Sequence, residues 1–220
     1  MKITGKTALI IIDVQNDFCP GGALPVPNGN LVVAPLNRAA ERFASRGLPV
    51  FASRDWHPME TEHFQEYGGP WPVHCVQGTH GAAFHPDLRL PENAIILSKG
   101  IDRYADGYSA FEGISWTGLP FAELLRSKGV RHLCVGGLAT DYCVRATVLD
   151  AIKRGLEVTV LADGVAGVDI IPGDSQRALE EMQQAGARIV RVDELQVPRT
   201  ASTEKTQSSV IDIPYPGGKG

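Results

Sequence analysis

Short, nearly unbroken runs of Val, Ile and Leu recur along this chain, each followed by an amphipathic stretch that closes on glycine. No other feature constrains the fold as much. A strand that is apolar at every position has to be covered on both faces, and helices packed on either side of a parallel sheet do that. "TALIII" (7–12) reads as the first strand, and residues 30–47, "NLVVAPLNRAAERFASRG", as a helix closed by Gly47. "LPVFAS" and "AIILS" read as the second and third strands, with "LPFAELLRSKG" as the next helix. "RHLCVGG" reads as a fourth strand and "TDYCVRATVLDAIKRG" as the helix after it. "LEVTVLA", "DSQRALEEMQQAG" and "ARIVRV" close the series as strand, helix and strand. The expected fold class is α/β: a three-layer α/β/α domain on an open, mainly parallel six-stranded sheet, Rossmann-like, with right-handed crossovers.

The 220 residues suit one sizeable core, so residues 1–195 are read as a single domain. Residues 196–220 are rich in Ser, Thr, Pro and Gly and read as a flexible tail, or as a segment whose "VIDIPY" docks on a neighbouring subunit. A formal net charge of -4, with no dense Lys/Arg run, argues against nucleic acid or an anionic membrane as partner. No apolar stretch approaches the roughly 20 residues that cross a bilayer. The opening "MKITGKTALIIID" places lysines before an apolar run, but the run is short and ends in Asp13 without a small-residue cleavage site. It therefore reads as a buried strand of a cytoplasmic protein, and a homo-oligomer is expected. The 4 cysteines, Cys19, Cys75, Cys134 and Cys143, show no C-x-x-C spacing. A disulfide framework is not expected; the default for each is a small buried hydrophobe, with one a candidate nucleophile.

Ligands of open parallel sheets bind outside the carboxyl ends of the strands. Asp13 ends the first strand, Asp55 and His57 follow the second, Lys99 ends the third, and Cys143 sits just past the fourth. Any one of these could simply terminate its strand; together they are chemically complementary. In "GGLATDYCVRA", Thr140 reads as a helix N-cap, placing Cys143 in the first turn, where backbone amides and Lys99 would favour its thiolate. Asp13 can accept that proton and return it to a leaving amine. The N–H groups of Ala139 and Cys143 are candidates for an oxyanion hole. Cys134 lies mid-strand and reads as core. Residues 56–93 interrupt the rhythm with a long Pro/Gly/His-rich insertion. There Asp55 and His57 share a strand-end segment, and His63 and His74 could complete a donor set suited to Zn, Fe or Mn. Histidines in such loops are more often surface residues. His80 and His85 have no spacing that commends them, Glu60 and Glu62 read as solvated charges, and His132 as incidental.

"LIIIDVQNDFCPGGAL", "SRDWHP", "WPVHCVQGTHGAAFHPDL", "SKG" before "YSAFEG", and "GGLATDYCVRATVLDAI" occur in that order. Together they resemble the nicotinamidases, also called pyrazinamidases, of the isochorismatase-like cysteine hydrolases, over residues 7 to about 190. The resemblance implies a metal-dependent cysteine amidohydrolase that converts nicotinamide, and pyrazinamide, to the acid and ammonia through a Cys143 thioester, in NAD salvage. It implies Cys143 as nucleophile, Asp13 as base and Lys99 as the cation of a triad. It further implies one divalent ion held by Asp55, His57 and His74, with His63 as a fourth ligand. Phe18, Trp71 and Tyr108 match positions that line the substrate pocket, and a cis peptide is implied at Leu138–Ala139. The alternative is another amidohydrolase of the same superfamily, acting on a carbamoyl or maleamate-type substrate; those relatives generally lack the Asp/His set. A fold retained as a non-catalytic binding module, or a vinyl-ether hydrolase, would leave the triad without work.

Overall fold

The computed structural model describes residues 3–196, so the segment read as a tail or docking element lies, from residue 197 on, outside the described residues. The sheet is built from β1 (Thr7–Ile12), β2 (Val50–Asp55), β3 (Ile95–Lys99), β4 (Ile114–Ser115), β5 (His132–Leu138), β6 (Glu157–Ala166) and β7 (Arg188–Val190). Its order is β4-β3-β2-β1-β5-β6-β7, and every pairing is parallel except β3 with β4. The six strands expected from the sequence are all present. The seventh, β4, is two residues long and antiparallel, too short to carry a periodicity of its own.

Every residue of β1 is buried, which is why its sequence shows no polar alternation. Leu9 and Ile11 pack on one face with α1 (Val33–Ala44), whose Leu36, Ala39, Ala40 and Phe43 recur at helical spacing. Ala8, Ile10 and Ile12 pack on the other face with α2 (Phe121–Ser127), α3 (Arg145–Lys153) and α4 (Asp174–Gln184) through Phe121, Val148 and Met182. Each large side chain so buried contributes about 1.5–3 kcal/mol, and both faces draw on the same strand.

The connections decide where a ligand can sit. From β1 the chain moves outward through β2 and β3, then crosses back to β5 on the other side of β1. The strand order therefore reverses between β1 and β5, and the connections leaving their carboxyl ends run to opposite sides, which opens a crevice there. Asp13 follows one of these strands and the Cys143 turn follows the other. The two strands approach closely at Gly137, whose φ is 126° and where a Cβ would lie 2.0 Å from the Ile12 carbonyl oxygen. Among the described residues, no helix is long and apolar enough to cross a membrane.

Candidate active site

Asp13, Lys99 and Cys143 meet in the crevice. Lys99 ends β3, and its side chain is fully buried. Its Nζ lies 2.8 Å from Asp13 Oδ2 and 3.4 Å from Cys143 Sγ, and also donates to Asp55 Oδ1 and to the Gly107 carbonyl. Asp13 leaves β1 with φ 47°, and its Oδ1 accepts a hydrogen bond from Ser53 Oγ at 2.8 Å. Burial would push the Lys99 ammonium down, but Asp13 and Asp55 outweigh it and hold its pKa well above the usual lysine value. Burial raises the Asp13 carboxyl to about 6, with Lys99 pulling against it and Asp55 adding to the rise.

Cys143 does not sit as the sequence suggested. It occupies a π-helical turn, Thr140–Val144, capped by Ala139 in extended conformation with no side-chain cap bond; Thr140 is inside the turn and buried. Nor is the thiolate favoured at rest. Burial pushes the Cys143 thiol well above its usual value, Lys99 opposes this, and Asp13 and Asp55 reinforce it. Two carboxylates next to one ammonium disfavour a third negative charge. The expected Leu138–Ala139 cis peptide is present and leads directly into the turn.

The second half of the site is a histidine cluster. His57, His63 and His74 are all buried, and one ring nitrogen from each falls within 4.8 Å of the others. In every case the far nitrogen is fixed by an oxygen that can only accept. His57 Nδ1 donates to the Gly100 carbonyl at 3.1 Å, His74 Nδ1 to the Pro72 carbonyl at 2.7 Å, and His63 Nδ1 to Asp106 Oδ1 at 3.2 Å. Each Nδ1 therefore carries the proton, and the Nε2 lone pairs are left to converge. Gly100, at φ 62°, allows the first contact, because a Cβ there would meet His57 Cε1 at 2.4 Å. His57 Nε2 is buried without a hydrogen-bond partner among the described residues. It lies 3.7 Å from Asp55 Oδ2, and His74 Nε2 lies 3.9 Å from the same oxygen.

The electrostatics suit a cation. Burial lowers His74 to about 4 and also lowers His63, so both rings stay neutral near pH 7 with their lone pairs free. Burial alone would raise Asp55, but the Lys99 ammonium holds its carboxyl well below the usual range. A buried carboxylate and three converging imidazoles, one of them with a buried Nε2 that no other described group satisfies, fit a divalent metal ion.

Above both halves opens a cavity of about 450 Å³, including its solvent-facing mouth. Phe18, Trp71 and Tyr108 line it, as do Ala139, Cys143, His63 and His74. Trp71 Nε1 donates to the Tyr108 hydroxyl at 2.8 Å, and Tyr142 meets the Trp71 ring edge-on at 5.0 Å.

Every site residue singled out in the sequence is thus brought to this crevice. His80 is exposed, as are Glu60 and Glu62. His132 takes no part in the site but has a structural role: it opens β5 and bridges the sheet, with Nε2 2.9 Å from Thr159 Oγ1 and Nδ1 3.5 Å from Thr7 Oγ1. The sequence reading missed Gln15, Ser53, Asp106 and Tyr142. Gln15 and Ser53 stand within two residues of Asp13 and Asp55, which was the available signal. Asp106 lies in a loop with no pattern to mark it.

Comparison with known proteins supports this picture. The isochorismatase domain family matches residues 7–194. The nicotinamidase of Escherichia coli (strain K12) is 42% identical over 198 residues, covering 83% of this chain and 93% of its own. The nicotinamidase/pyrazinamidase of Mycobacterium tuberculosis (strain ATCC 25618 / H37Rv) is 42% identical over 189 residues, covering 83% and 97%. The crystal structure of the pyrazinamidase of Pyrococcus horikoshii in complex with zinc superposes with a TM-score of 0.78 at 47% identity, covering 84% of this chain and 99% of that one.

Proposed function

The chain belongs to the isochorismatase domain family, and from that premise we propose that it is a nicotinamidase, hydrolysing nicotinamide, and pyrazinamide, to the acid and ammonia. One observation carries the reading: Lys99 Nζ contacts Asp13, Asp55 and Cys143 together, so the nucleophile, the base and the histidine cluster form one site rather than two.

In this reading Cys143 Sγ attacks the amide carbon while its proton passes to Asp13. A resting thiol makes that transfer part of the attack rather than a prior step. The amide oxygen becomes an oxyanion facing the N–H groups of Ala139 and Cys143, each donor worth about 3 kcal/mol. The carbon–nitrogen bond breaks, and ammonia leaves with the proton held by Asp13. Water then gives a proton to Asp13 and attacks the thioester, releasing the acid and the Cys143 thiol. Lys99 remains an ammonium throughout and keeps Asp13 charged and in place between turnovers.

Asp55, His57, His74 and His63 would hold one divalent ion, and Zn, Fe or Mn all suit such donors. When bound it supplies a Lewis-acidic anchor for the ring nitrogen of a pyridine or pyrazine. Phe18, Trp71 and Tyr108 would flank the ring. We place the enzyme in NAD salvage, in the cytoplasm, as a homo-oligomer. Ammonia release from nicotinamide tests the assignment: the Cys143→Ala protein should show none above background, and substantial remaining turnover would sink it.

A further inference from the structure

We infer that Gln15 is a positioning residue that sets the metal-ligating carboxylate and the catalytic base together. This rests on the reading of Asp55 and the histidines as metal ligands. Gln15 stands two residues after Asp13 and is completely buried. Its side-chain amide treats Asp55 as a neighbouring strand would: Oε1 accepts from the Asp55 N–H at 2.8 Å, and Nε2 donates to the Asp55 carbonyl at 2.8 Å. The second Nε2 proton goes to the Ala82 carbonyl at 2.9 Å, tying in the insertion that carries His74. At its other end the Gln15 backbone N–H donates to the Asp13 carbonyl at 2.8 Å, closing the tight turn in which Asp13 sits at φ 47°.

One residue therefore grips the backbone of Asp13 and of Asp55 from both sides. β1 and β2 are paired only over Leu9–Ile11 with Val50–Ala52, so their register contacts stop short of both acids. On its far side Asp55 is paired with Lys99 of β3; on the side of the base, besides the Asp13 N–H bonded to the Ser53 carbonyl and the shared Ser53 and Lys99 side chains, the Gln15 amide fixes how far Asp55 stands from Asp13. Glutamine is the side chain that offers one acceptor and two donors in a single plane. Glutamate keeps the shape but sets an oxygen against the Asp55 and Ala82 carbonyls, and methionine keeps the volume without hydrogen bonds.

The test measures zinc affinity, on the full chain, by chelator competition, alongside thermal melting of the zinc-free protein. Gln15→Glu and Gln15→Met should each weaken zinc binding by about 10- to 100-fold, the range for groups that orient metal ligands. His132→Gln breaks a buried bond elsewhere in the same sheet and controls for lost stability; it should lower the melting temperature and leave zinc affinity unchanged. Two folding variants that differ in stability allow the comparison even if one is poorly behaved. Zinc affinity that is unchanged in the Gln15 variants, or that falls equally in His132→Gln, overturns the inference while leaving the metal site standing. A parent protein that binds no zinc overturns both the metal reading and the role of Gln15.

Discussion

At the scale of single residues the site is an arrangement of charges that must share one proton economy. Lys99 balances Asp13 and Asp55, and burial, reinforced by the same carboxylates, keeps the Cys143 thiol neutral. Asp13 must be ionised to take the thiol proton, and its carboxyl is raised to about 6. Below that pH it is protonated and cannot act as base; above it the base is available. The value of kcat/KM for nicotinamide should therefore fall about tenfold per pH unit below about 6 and level off above it. A profile flat down to pH 4.5 would show that Asp13 is not the titrating base. Asp13→Asn should lose about 10²- to 10⁴-fold in kcat at pH 7.5. The identities of Asp13, Asp55, Lys99 and Cys143 were legible because each stands at a strand end. The state of Cys143 was not: sequence reveals a helix start after β5, but not that two buried carboxylates will stand beside it.

At the scale of elements, the strands were read correctly because burial on both faces writes itself as unbroken Val, Ile and Leu. The two-residue β4 and the π-helical turn at Thr140–Val144 were missed, since neither is long enough to show a period. The β1–β5 junction depends on a glycine, and this is testable. Gly137→Ala would force a Cβ to within 2.0 Å of the Ile12 carbonyl oxygen at φ 126°, with backbone on both sides unable to yield. We expect a loss of about 3 kcal/mol or more, seen as a lower denaturant midpoint with an unchanged slope. Stability within about 0.5 kcal/mol of the parent would mean that the strands can separate there at little cost.

At the scale of the whole molecule, the sheet gathers ligands from distant segments, so metal binding and stability should be linked. Asp55 and His57 come from the end of β2, and His63 and His74 from the insertion, whose backbone is tied to the strand ends by isolated bridges such as His57 to Val76 and Gln15 to Phe84. An ion that binds only the folded form stabilises it by about 2.7 kcal/mol at a hundredfold excess over Kd. Chelation should lower the melting temperature by several degrees, and re-addition of zinc should restore it; a melt indifferent to both would exclude a folded-state metal site. The sequence by itself determined the α/β class, the strand-end positions of the acids, the lysine and the cysteine, and the histidines available to a metal. Periodicity and local spacing carry that information because each is a property of neighbouring residues. Only the tertiary structure decided that Lys99 joins the two halves of the site, that Gln15 clamps Asp55 to Asp13, and that Asp106 orients His63. Those contacts span 40 residues or more, and their energies depend on burial and on which charges end up adjacent, which only the folded chain fixes.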